Sequence, residues 1–244
     1  MGGAGIPGRP LDWDTEFFGY AVFALERDID PADVPSAVQS LKRNGAELIV
    51  WQFTEGSVDH HDAAVQAGGT LVDFKCAYLL EFDSYRSRSA ETSGVPLHKV
   101  SGEESRETWD ALALSAGAYS RYRCDPNMRR NEHVRLYEAW FRRSLTGQIA
   151  DYVWIAGDIA RPAGLITLAT RAPNPAIGLV AVSADSRRQG VGKRLLDKAV
   201  ECSITAGFNT LSVVTQRANE AARAMYVSFG FALISESRVY HFWR

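Results

Sequence analysis

The sequence predicts an α/β (α+β) protein in two parts, the larger one preceded by a smaller α/β unit. Three observations carry that prediction. Apolar, β-branched runs alternate with runs of helical period along most of the chain. Within residues 179–200, the run Leu179-Val180-Ala181-Val182 breaks into a polar turn and restarts at helical spacing as Leu195-Leu196-x-x-Ala199-Val200. Apolar residues make up 46% of the 244-residue chain, enough for a core, and 23% charged residues argue against disorder.

Taken in order, residues 1–10 are rich in Gly and Pro and read as a flexible leader. They hold no apolar signal region, and Ile6 stands where a myristoylation pattern needs Ser or Thr. Residues 19–25 read as a strand, 35–44 as a helix, 47–53 as a strand, 60–68 as a helix, and 70–82 as one or two strands. A small N-terminal α/β domain over 11–83 follows. Residues 84–95 are polar and form the expected linker to a second domain over 96–244. There, helices are expected at 103–115 and 131–145, and strands at 151–156, 163–170 and 176–182. A strand at 210–215 leads through Gln216-Arg217-Ala218-Asn219 into a helix over 220–227, closed by Gly230, with a strand starting at Phe231. The trailing strand 237–243 is a candidate for pairing across a homodimer.

Composition excludes several classes of function. A net charge of −2 gives no basis for nucleic-acid or acidic-membrane binding, and no apolar run reaches the roughly 18 residues a membrane span needs. Cys76, Cys124 and Cys202 are scattered without metal spacing, which suits a reducing cytoplasm. The five histidines form no ligand set; His60-His61 reads as a solvated helix start, and no metal is expected.

The turn after residue 182 has the chemistry of an anion site. A helix start carries unpaired N–H groups and a partial positive charge, and glycines let a phosphate approach that backbone. Two common phosphate loops fail here. Gly192-Lys193 is followed by Arg194 rather than Ser or Thr, and Leu195 stands where a dinucleotide fingerprint needs its third glycine. The spacing Arg187-x-x-Gly190-x-Gly192 behind an apolar strand resembles the coenzyme-A signature of the GNAT superfamily of N-acetyltransferases. A second block, Asn219-x-x-Ala222-x-x-x-Tyr226-x-x-x-Gly230-Phe231, is similar to that superfamily's next conserved segment and lies in the right order.

That resemblance implies a GNAT fold, a mixed central sheet flanked by helices, and acetyl-CoA as cosubstrate, held by Val180, Ala181, Val182, Arg187, Arg188, Gln189, Gly190, Val191, Gly192, Lys193, Asn219 and Tyr226. It also implies that the main chain at Val182 polarises the acetyl carbonyl, that Asn219 contacts the pantetheine arm, and that Tyr226 is the general acid for the departing thiolate. Residues 11–19, 117–126, 137–140, 144–145 and 239–243 resemble one group within the superfamily, the dTDP-fucosamine acetyltransferases. The implied acceptor is the 4-amino group of a nucleotide-linked 4,6-dideoxy sugar in surface-glycan synthesis. Tyr119 and Arg121, an aromatic plane beside a cation, are the candidate contacts to that substrate. No general base is assigned; Asp125, Glu220 and His241 read as structural or solvent-facing. Two alternatives stay open: a peptide α-amine or other small amine as acceptor, and a non-enzymatic acyl-CoA sensor.

Overall fold

In the computed structural model, which describes residues 8–54, 58–85, 94–102, 106–129, 131–171 and 173–244, the chain divides into two compact units. The first takes the chain up to Lys75 together with Cys124–Asn127 and Ser235–Arg244; the second takes Cys76–Arg123 and Met128–Ile234. The units thus divide inside two strands, β4 (Thr70–Glu81) and β10 (Ala232–Trp243), and not along the expected 11–83 and 96–244. Residues 86–93 of the expected linker lie outside the described residues.

In the first unit, β1 (Gly8–Pro10) runs antiparallel to β2 (Val22–Leu25), and β2 runs parallel to β3 (Leu48–Thr54). Gly8–Pro10 were expected in a flexible leader and are instead a strand, because β2 supplies their backbone partners. Helix α1 (Asp12–Phe18) has Asp12 and Asp14 in its first turn, where the helix dipole favours them. Gly19 closes it at φ 79°, so the strand expected from residue 19 begins only at Val22. Helix α2 (Val34–Arg43) follows a short turn in which Asp30 Oδ1 accepts the Ala32 amide at 2.9 Å. Val34, Val38 and Leu41 of α2 and Ala63 and Ala64 of α3 (Val58–Gln66) share a core with Ile49, Trp51, Phe53, Tyr240 and Phe242.

Two expectations change here. Ser237–Trp243 pairs antiparallel with β3 along its whole length, so the edge held out for a homodimer is occupied within the chain on that side. His60 and His61 are not simply solvated: the His60 ring packs 5.6 Å from Trp51 and 5.1 Å from Phe53, and His61 Nδ1 hydrogen-bonds the Tyr240 hydroxyl.

The second unit is a mixed sheet in the order β4-β9-β8-β7-β6-β5. Strands β5 (Leu97–Val100), β6 (Tyr152–Gly157), β7 (Pro162–Ala169) and β8 (Ala176–Val182) are successively antiparallel, whereas β9 (Thr210–Gln216) is parallel to β8. Between β4 and β5 lies the short α4 (Phe82–Tyr85); its Tyr85 hydroxyl donates to Asp197 Oδ1 at 2.7 Å. Helices α5 (Glu107–Ala116) and α7 (Glu132–Leu145), separated by the short α6 (Arg121–Cys124), contribute to an apolar cluster with Leu165, Leu179 and Ala181. Helices α8 (Val191–Thr205) and α9 (Glu220–Phe229) contribute to another, with Ile166, Leu168 and Ile177. Strand β7 therefore sends alternate residues into two cores, which explains its nearly continuous apolar run.

Candidate active site

A single extra residue in β8 shapes the candidate site. Register runs from Ile177↔Leu168 to Val180↔Ile166, so β8 advances three residues while β7 advances two. Thr167 faces both Gly178 and Leu179, the arrangement of a β-bulge. The faces change with it: Ile177 belongs to the α8–α9 core, Leu179 and Ala181 to the α5–α7 core, and Val180 and Val182 pack against the α8–α9 core again. An unbroken strand would put residues 177 and 179 on one side.

At the same place β8 leaves β9. Their parallel pairing covers Ala176↔Ser212 and Ile177↔Val213 and then stops. Beyond it, Leu179 N–H donates to Thr167 Oγ1 at 2.8 Å, Ala181 stands opposite Leu165, and Ser183 N–H donates to Ala163 O at 2.9 Å. Backbone groups alternate sides along a strand, so the amides of Val180 and Val182 turn away from β7 toward the gap beside β9. Those two N–H groups are placed to donate to a carbonyl oxygen. The amide singled out at Val182 thus has a like-facing neighbour at Val180, whereas the Ala181 main chain faces β7.

The strand then enters the anion-site turn. A 3₁₀ turn over Ala184–Ser186 leads to Arg188 at φ 61° and Gly190 at φ 79°, both left-handed. Left-handed residues in such a turn let successive N–H groups face one anion. Gly190 is the N-cap of α8 and has no side chain to satisfy the first helical amides, so Val191, Gly192 and Lys193 offer their N–H groups outward. Arg187, Arg188 and Lys193 are exposed around this mouth. Gln189 Nε2 donates to Asp185 O at 2.8 Å, which braces the turn. Gly192 has a packing reason as well: a Cβ there would lie 2.5 Å from Met225 Sδ.

Helix α9 supplies the second set. Asn219 is its N-cap, Oδ1 accepting the Ala222 amide at 3.2 Å, and Gly230 ends it at φ 112°. Asn219 thus orders the helix start, and its carboxamide nitrogen is not used by that bond. Tyr226 is 2% exposed and sits in the apolar cluster against which Val180 and Val182 pack. Burial pushes its phenol well above the ordinary tyrosine value. Its ring centroid is 5.9 Å from Tyr78 and 5.6 Å from Phe231.

The expected acceptor contacts are arranged differently from a single loop. Tyr119 is 44% exposed, but Arg121 folds back on its neighbour, Nη2 donating to the Tyr122 hydroxyl at 2.6 Å with the guanidinium 4.6 Å from that ring. Asp125 belongs to the first unit, where Oδ2 accepts from His241 Nδ1 at 2.6 Å and from Trp243 Nε1 at 2.8 Å. Both partners of the His241–Asp125 pair are sealed from solvent, which suits a structural role. Burial alone would raise the Asp125 carboxyl; the hydrogen bonds from His241, Trp243 and the Asn127 amide outweigh it and hold the carboxyl below its usual range. Glu220 is exposed in the first turn of α9. Tyr78, Thr167 and Gly178 escape the sequence analysis. The signal for the bulge was present, since Ile177-Gly178-Leu179-Val180 breaks the two-residue alternation at a glycine.

Residues 116–231 match the acetyltransferase (GNAT) family. The chain is 27% identical over 147 residues to a mycothiol acetyltransferase of Beutenbergia cavernae, covering 58% of this chain and 46% of that protein. The match thus spans about half the length of that curated relative. Among solved structures, the chain is similar to a GCN5-related N-acetyltransferase from Kribbella flavida, with a TM-score of 0.60 at 16% identity, covering 91% of this chain and 80% of that one. It is also similar to a tandem GNAT protein from the clavulanic acid biosynthesis pathway, with a TM-score of 0.59 at 14% identity, covering 92% and 76%. A conserved protein of unknown function from Staphylococcus epidermidis gives a TM-score of 0.60 at 13% identity, covering 92% and 85%. The fold is the GNAT fold.

Proposed function

We propose that this chain transfers the acetyl group of acetyl-CoA directly to an amine in a ternary complex. The observation that carries the reading is the bulge at Gly178-Leu179. It parts β8 from β9 and turns the Val180 and Val182 amides into the gap, just ahead of the uncapped start of α8. The residues present fit acetyl-CoA: amides at 190–193 for the pyrophosphate, with Arg187, Arg188 and Lys193 around them, and Asn219 beside the pantetheine arm.

The chemistry follows from those positions. The neutral amine attacks the thioester carbonyl carbon, and the β8 amides stabilise the oxyanion that forms. The C–N bond forms and the C–S bond breaks. The sulfur takes a proton from Tyr226, which its raised pKa keeps protonated throughout the neutral range. The proton lost by the amine passes to water, from which Tyr226 is reprotonated, so no dedicated carboxylate base is needed.

For the acceptor we propose the 4-amino group of a nucleotide-linked 4-amino-4,6-dideoxy sugar of the dTDP-fucosamine type, in cytoplasmic synthesis of a surface glycan. Support comes from the sequence likeness at residues 11–19, 117–126 and 239–243 and from the exposed Tyr119 ring. The likeness to a mycothiol acetyltransferase favours a second reading, another small-molecule amine outside the nucleotide sugars. The test is CoA release by the purified protein, followed by chromatography, with dTDP-4-amino-4,6-dideoxygalactose, its C4 epimer, a UDP-linked 4-amino sugar, desacetyl mycothiol, a peptide α-amine and spermidine. Turnover with a nucleotide sugar at least a hundredfold above the others is expected. Turnover with desacetyl mycothiol or the peptide alone would replace the acceptor and keep the reaction.

A further inference from the structure

We propose that Thr167 is a positioning residue for acetyl transfer, holding the β8 bulge so that the Val180 amide stays turned into the gap. The inference rests on the acetyl-CoA reading above and assigns to a side chain on β7 the control of a main-chain group on β8.

In an antiparallel pair, the extra residue of a bulge leaves one backbone group without its ladder partner. Here that group is the Leu179 amide, and its acceptor is a hydroxyl rather than a carbonyl: Thr167 Oγ1 at 2.8 Å. Thr167 is 1% exposed, so water does not compete for the bond. A β-branched side chain has few rotamers, and the threonine hydroxyl is held at a fixed place on β7. The facing residue is fitted to it. A Cβ on Gly178 would stand 2.8 Å from Thr167 Oγ1 and 3.5 Å from Trp140 Nε1, so only glycine leaves room for the hydroxyl.

The consequence reaches Val180 through strand alternation. With Leu179 tied to β7, Val180 must face the other way, and β9 has already stopped pairing at Val213. Without that tie, the extra residue at 178–179 loses the hydrogen bond that holds the Leu179 amide to β7. A shift of one residue would exchange which amides face the gap. Thr167 touches no reacting atom; it sets the direction of a group that does.

The test compares Thr167→Val, which keeps the shape and loses the acceptor, with Thr167→Ser, which keeps the hydroxyl. In turnover with whichever amine the wild type accepts, Thr167→Val should lower kcat at least tenfold while KM for acetyl-CoA and Kd for CoA stay within threefold. Thr167→Ser should recover kcat to within threefold of wild type. The infrared stretch of carbonyl-13C acetyl-CoA should move to lower frequency when bound to wild type and Thr167→Ser, and not when bound to Thr167→Val. Wild-type kcat in Thr167→Val, or equal loss in both variants, overturns the role of Thr167. Should Thr167→Val fail to fold, amide hydrogen exchange on the wild type decides. Leu179 protected and Val180 exchanging freely until acetyl-CoA is added supports the proposal; the two protected alike in the free protein overturns it. Loss of the acetyl-CoA reading itself shows differently, as a wild type that neither binds CoA nor turns over.

Discussion

Replacing Gly190 by Glu separates charge from backbone at the anion-site turn. Gly190 sits at φ 79°, where an L-residue costs about 1–2 kcal/mol. Its surroundings are open to solvent, so backbone conformation rather than crowding sets the cost. The strain is present with and without ligand, so Gly190→Ala should lower the melting temperature, and any loss of CoA affinity in it measures the steric share of a Cβ at the turn. Gly190→Glu adds one negative charge beside a pyrophosphate carrying about two. At ~5 Å and the dielectric of water each unit pair costs about 0.8 kcal/mol, so the sum is about 1.6 kcal/mol, or roughly 15-fold in Kd. Closer to the protein surface the effective dielectric falls and the penalty grows. Isothermal titration at low salt should therefore show Gly190→Glu at least about 15-fold weaker than Gly190→Ala, and the gap should shrink toward 1 M salt, where the Debye length is about 3 Å. Equal affinity of the two variants at low salt would refute pyrophosphate binding at this turn.

Expected outcomes at three further residues can be measured separately. Tyr226→Phe should lower kcat about a hundredfold with CoA affinity unchanged, as steady-state rates and titration would show. Because burial raises the Tyr226 phenol, the protonated, active form persists upward in pH, and the wild-type rate should not fall through deprotonation of this group before about pH 10; a decline centred near pH 8 would contradict its role. Asp125→Ala strands His241 Nδ1 and Trp243 Nε1 in the interior and should cost about 3–5 kcal/mol in denaturant unfolding. The Asp125 carboxyl is held below its ordinary value, so its contribution is present above about pH 4 and lost as pH falls below that; the gap between wild type and variant should close in acid. Gly117→Ala would put a Cβ 2.3 Å from Tyr137 Cζ and should cost about 1–3 kcal/mol, read as a fall in melting temperature; an unchanged value would contradict that packing.

Local signals were the legible ones. The passage from β8 through the glycine turn into α8 announces itself because a continuous apolar run stops and apolar residues resume at period 3.6 beyond Gly190 and Gly192. Asn219 and Gly230 mark the two ends of α9 by the capping chemistry the structure shows. Short elements were missed where the sequence offers no period: Leu97–Val100 is too brief and polar, and Gly8–Pro10 is a strand only because β2 lies beside it. Helix α1 was missed because Trp13, Phe17 and Phe18 are weak helix formers, and its closing Gly19 was read as a strand start. Within the candidate site, the turn and the helix that carries Tyr226 were readable, whereas the β8 bulge shows in the sequence only as a broken alternation at Gly178. It depends on a side-chain bond from Thr167, twelve residues from Leu179, and on β9 ceasing to pair. The Asp125–His241 pair joins residues 116 positions apart, which no local pattern encodes.

The most direct measurement is a CoA titration of 15N-labelled protein, reading the backbone amides of Val180, Val182 and Gly190 through Lys193. Saturating shifts at these residues, largest at 190–193 for the pyrophosphate and absent at Asp125 and His241, are the predicted result. Binding of CoA that leaves Val180, Val182 and the start of α8 unmoved would contradict the placement of the cosubstrate in the gap between β8 and β9.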